Sequence, residues 1–87
     1  MDIETRVQKS ISIFRENEKR AAQLELGADE KGVVELAKMY ASDTEAWVEK
    51  GDYVTAFSSI EYAHGLLDAI LKINGADPYE HETDKGG

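Results

Sequence analysis

The chain has no cysteine at all, a single proline and no long apolar run. Without cysteine there are no disulfides, no zinc–thiolate centre and no thiol nucleophile. No stretch approaches the ~20 apolar residues needed to span a bilayer. The start, Met1-Asp2-Ile3-Glu4, is acidic and already helix-like, unlike a secretory signal. A cytoplasmic protein is the expectation. Glycine-rich phosphate loops, serine elbows and paired His-x-x-x-His motifs are also missing.

Positive charge is scarce as well: the net charge is −8 over 87 residues. The deficit begins at residue 27, since residues 1–26 are balanced with five acids and five bases. An acidic body repels phosphate backbones, so no nucleic-acid binding is expected. The one basic spot, Arg15, Lys19 and Arg20, is interleaved with Glu16 and Glu18 and reads as a solvated mixed face. Apolar residues make up 41% of the chain, enough for one modest core.

Apolar positions recur at helical spacing in three segments. The first runs from about Asp2 to Glu25 on Ile3, Val7, Ile11, Phe14 and Ala21, broken by Ser10, Asn17 and Glu18, and stops at Gly27. The second runs from about Glu30 to Lys50, capped by Asp29, on Val33, Leu36, Ala37, Tyr40, Ala41, Thr44, Trp47 and Val48. The third runs from Tyr53 to about Asn74, capped by Asp52, on Tyr53, Ala56, Phe57, Ile60, Ala63, His64, Leu67, Ile70 and Leu71. Gly51-Asp52 allows only a tight turn, so the last two helices form an antiparallel hairpin. The fold class expected is all-α, an up-down-up three-helix bundle over residues 1–75. Residues 76–87, acidic and without periodicity, are expected to be a disordered tail. The core expected is Val7, Ile11, Phe14, Val33, Leu36, Tyr40, Trp47, Phe57, Ile60 and Leu67.

Tyr62, Leu66, Ala69 and Ile73 form a second apolar group on nearly the opposite side of the third helix. Such a patch on a small protein marks an interface, with a homodimer or another helical protein as the expected partner.

Two polar groupings could carry a ligand. Glu61, His64 and Asp68 stand three and four residues apart on one helix side. Glu-x-x-His is half of a di-iron carboxylate signature, but the second half is missing. A partly buried histidine bonded to Asp68 or to a backbone carbonyl is the competing reading. Tyr40 and Asp43, with Thr44, face the third helix and could hold a small cation or ligand. The alternative is a structural network of Asp43 with Ser59 or a tyrosine hydroxyl. No cofactor, metal or catalysis is expected.

The segments Tyr40-Ala41-x-Asp43-Thr44, Lys50-Gly51-Asp52-Tyr53-x-x-Ala56-Phe57 and Glu61-Tyr62-Ala63-His64-Gly65-x-x-Asp68-Ala69 resemble a family of short archaeal proteins. That family is known as domain of unknown function 357. The resemblance spans about residues 3–75, with motif positions at Asp43, Gly51, Asp52, Ala56, Tyr62, Ala63, Gly65 and Asp68. It implies a small three-helix bundle and no assigned activity. A more distant similarity is to HEPN domains, whose ribonuclease members carry an arginine a few residues before a histidine. His64 has no arginine in that range.

Overall fold

Asp2, Gly27 and Asp52 open three helices, and two left-handed glycines close the last two. The computed structural model describes residues 2–78. The helices are α1 (Ile3–Ala21), α2 (Ala28–Glu49) and α3 (Tyr53–Ile73). They form an up-down-up all-α bundle, with no strand among the described residues.

The starts rest on side-chain acceptors for the orphan amides of the first turn. Asp2 Oδ1 accepts from the Thr5 amide at 2.8 Å. Asp52 Oδ1 accepts from the Thr55 amide at 3.0 Å, and its Oδ2 accepts from the Thr55 hydroxyl at 2.8 Å. α2 begins earlier than expected, and Asp29 is not its cap. Gly27 holds that place, and Glu30 Oε1 reaches back to the Gly27 amide at 3.1 Å. Asp29 and Glu30 instead lie in the first turn, where the helix dipole favours carboxylates.

The α2–α3 turn has Gly51 at φ +78°. The Gly51 amide donates to Val48 O and the Asp52 amide to Trp47 O, the two bonds of a Schellman stop. The same pair recurs after α3, with Gly75 at φ +80° donating to Lys72 O and Ala76 donating to Leu71 O. Ala76 then packs on the core, and Pro78 is buried. The remainder of the expected tail, residues 79–87, lies outside the described residues.

α1 stops at Ala21, well short of Glu25. Periodicity explains why. A continued helix would bring Glu25, about five turns after Val7, onto the buried side. The chain leaves the helix instead, and a turn followed by an irregular stretch packs Leu24 and Leu26 against the core with Glu25 exposed.

α3 is the central helix. α2 packs antiparallel along one flank and α1 parallel along the other, while the α1 and α2 backbones approach each other only slightly. The result is flattened, 37 × 35 × 15 Å. The α3 face was legible: Ala56, Ile60, Ala63, Leu67, Ile70 and Leu71 are all buried. The α2 face is turned by about one residue from the expected stripe. Val34, Ala37, Ala41 and Thr44 are buried, whereas Leu36 is exposed and Val33, Tyr40 and Trp47 are half-buried. Small residues at the seam let α2 and α3 approach closely, which displaces the bulky side chains to its edge. Ile11 and Phe57 of the expected core are likewise only half-buried.

The cap carboxylates link stability to pH. The Asp52 carboxyl lies below its usual 3.8, held down by the Thr55 amide and then by the Thr55 hydroxyl. A depressed carboxyl adds stability above its unfolded value and loses it as pH falls through the folded one. Asp52→Ala is therefore expected to lower the thermal midpoint at neutral pH, and the gap to the parent should narrow as the pH is taken below 3.8. Melts in the two pH ranges check this. Equal midpoints at neutral pH would show that Asp52 contributes no cap.

Candidate functional site

α1 and α3 run parallel in one fixed register. The Arg6 guanidinium lies over the Phe57 ring at 5.3 Å from its centroid. Ser10 Oγ donates to Glu61 Oε2 at 2.9 Å, and Asn17 Nδ2 donates to Asp68 Oδ1 at 3.4 Å, both pairs 51 residues apart like Arg6 and Phe57. His64 Nε2 lies 2.7 Å from Ser10 O. A carbonyl can only accept, so this nitrogen carries the proton and donates. The His64 ring also meets Phe14 edge-on at 5.8 Å. Asn17 is buried, and its Oδ1 accepts from Arg20 at 3.2 Å. Two of the three polar residues that interrupt the α1 stripe, Ser10 and Asn17, thus meet polar residues of α3, while the third, Glu18, pairs with Arg15 and Lys38.

The α2–α3 seam is arranged around the carbonyl of Tyr40. Thr44 Oγ1 donates to it at 2.9 Å and Ser59 Oγ at 2.8 Å. Ser59 therefore bonds the Tyr40 backbone and not Asp43, which is exposed. At the far end, Asn74 Nδ2 donates to Glu30 Oε2 at 2.8 Å. The Asn74 amide and then the Gly27 amide hold the Glu30 carboxyl below its usual 4.5.

The five polar candidates fall into three places. Glu61, His64 and Asp68 line the α1 flank of α3, while Tyr40 belongs to the α2 flank and Asp43 to the outer surface. No three His, Cys, Asp or Glu side chains among the described residues stand close enough to share a metal ion. Between α1 and α2, an apolar groove of Ala21, Leu24, Leu26 and Val34 is open to solvent and rimmed by Lys31 and Lys38. Lys38 is already engaged with Glu35 at 3.2 Å and Glu18 at 3.9 Å. Nearby, Arg15 binds Glu45 at 2.6 Å and Glu18 at 3.2 Å. The Glu45 hydrogen bond leads in raising the arginine above its ordinary value. These pairs are exposed and add little to stability.

The apolar candidates do share one surface. Tyr62 is 52% and Ile73 73% exposed, Ala69 is exposed, and Leu66 is half-buried against the core. Tyr62 stacks edge-on with Tyr40 at 4.7 Å, joining this strip to the edge of α2, where Leu36 is 38% exposed. The helical periodicity of the sequence places Leu36 and Tyr40 in the interior. The signal that could have placed them on the rim is the run Ala37, Ala41, Thr44, whose small size suits a close helix seam.

Fold and surface together define a small three-helix bundle with two packed seams and, among the described residues, one exposed apolar face. The protein-family model described as "Protein of unknown function (DUF357)" matches residues 6–75, and the chain belongs to that family. No curated protein is significantly similar to it.

Proposed function

We propose that this protein is a non-enzymatic, cytoplasmic interaction module that self-associates through the apolar face of α3 and the adjoining edge of α2. The observation that carries the reading is the strip Tyr62, Leu66, Ala69 and Ile73, continuous through the Tyr40–Tyr62 ring contact. Leaving a tyrosine and an isoleucine largely in water forgoes burial on the order of 25 cal/mol per Å² of apolar surface, which a partner recovers. The flat shape adds to this, because among the described residues only α1 and α2 pack on α3, one along each flank, and no helix lies over its remaining broad side. Closed two-fold dimers are the commonest oligomers, and about 1,000 Å² of total burial makes one credible. No helix among the described residues is long and apolar enough to cross a membrane, so the strip is read as a protein-facing surface.

Sedimentation at micromolar chain tests this. The parent is expected as a dimer, and Ile73→Asp as a monomer with an unchanged helical signal. A parent that stays monomeric as concentration is raised would overturn the reading.

A further inference from the structure

The side of α3 left exposed among the described residues carries more than apolar residues. Ser58, Glu61, Gly65, Ala69 and Lys72 form one exposed ridge at steps of three and four. The strip Tyr62, Leu66 and Ile73 runs beside it, on the flank toward α2. Glu61 and Lys72 are the two charges of the ridge. They stand eleven residues apart, close to three turns, so both point the same way about 16 Å apart along the axis. Glu61 uses one oxygen for Ser10, and Lys72 has no acidic partner among the described residues. Between them lies Gly65, where an added Cβ would find nothing within 4 Å.

We infer that a second copy of this chain covers this face, with the two α3 helices antiparallel about a two-fold axis near Gly65 and Ala69, so that Glu61 of each copy meets Lys72 of the other. The inference rests on the self-association proposed above and specifies its geometry.

The geometry follows from symmetry. Two copies stacked face to face have their two-fold axis in the plane of contact. With the axis across α3, the helix direction reverses, but the α2 flank of one copy stays over the α2 flank of the other. Apolar strip then meets apolar strip, and acid meets base twice. With the axis along α3, the helices are parallel and the flanks exchange. The apolar strip of one copy then faces the Glu61–Lys72 flank of the other. Burial and charge both select the antiparallel arrangement. One register satisfies three pairs to within about one residue: Glu61 with the partner's Lys72, Tyr62 with the partner's Ile73, and Gly65 with the partner's Ala69. The last pair puts the two smallest side chains of the ridge at the axis, where the helices approach most closely.

Charge reversal of the full-length chain, read by sedimentation over a range of concentrations, tests the arrangement. Glu61→Lys alone creates two Lys–Lys contacts across the dimer, and Lys72→Glu alone two Glu–Glu contacts. Each is expected to weaken dimerisation about tenfold at low salt, with the difference shrinking as salt is added. Glu61→Lys with Lys72→Glu in one chain should restore the parent affinity. An equimolar mixture of the two single variants should associate more tightly than either alone, because the mixed dimer is complementary at both contacts. The mixture also controls for folding, since both chains are present in the weaker samples. A parent that dimerises, but whose affinity neither single reversal nor mixing changes, overturns the antiparallel pairing and leaves self-association standing. A monomeric parent overturns both.

Discussion

Leu67→Ala is expected to destabilise the fold by roughly 2–5 kcal/mol. Leu67 is fully buried in the middle of α3 and belongs to the cluster that joins Phe14 of α1, Ala37 and Ala41 of α2, and Ile60 and Leu71 of its own helix. It faces both flanking helices, so neither can close the cavity without leaving its own seam. The seams are held by the Ser10–Glu61 and Asn17–Asp68 bonds on one side and by the Ser59–Tyr40 bond on the other, which restrains collapse. A domain of this size has a total stability of about 5–15 kcal/mol, so the loss is a large share of it. Denaturant unfolding of the parent and variant measures the difference. Leu66→Ala, next in sequence but only half-buried, is the control and should cost less. A cost for Leu67→Ala below that of Leu66→Ala would mean that the facing of α3 is wrong.

Phe14→Ala should be comparably severe, at about 3–5 kcal/mol. α1 buries only Val7, Phe14, Asn17 and Ala21, and Phe14 is the largest of them. Its ring also forms the apolar wall against which the His64 ring rests edge-on. Removing it takes away the main anchor of α1 and opens the His64–Ser10 hydrogen bond to water. Phe14→Leu, which refills most of the space, should recover most of the loss. If Phe14→Ala unfolds within about 1 kcal/mol of the parent, α1 is not held by this side chain.

The α2–α3 turn and the end of α3 were legible because they depend on single residues with strong local preferences. Gly51 and Gly75 can take positive φ without a Cβ clash, and Asp52 presents a short carboxylate to the next amides. The inner face of α3 was legible because its stripe is nearly unbroken. The facing of α2 was not, since ranking positions by side-chain size favours Leu36 and Tyr40. In the fold, close helix approach rewards alanine, and those large residues are left at the rim. The end of α1 was missed because Leu24 looks like one more helical position. Only the placement of Glu25 shows why the helix must stop. Ser10 and Asn17 read as flaws in a stripe until their partners on α3 are known, and a contact 51 residues away is invisible to local periodicity. The apolar surface was readable as a group of residues. Its continuation onto α2 through Tyr40 was not, because that depends on how the two helices are turned toward each other.

Glu30 has a consequence beyond closing the start of α2. One of its oxygens takes the Gly27 amide and the other takes Asn74, so a single carboxylate ties the beginning of α2 to the end of α3. The opposite end of that helix pair is closed by the chain itself at Gly51. A hairpin fastened at both ends has little freedom to splay. Leu36, Tyr40, Tyr62 and Leu66 therefore keep their spacing before any partner arrives. The association proposed for this face would start from a preorganised surface, with little conformational entropy left to lose on contact.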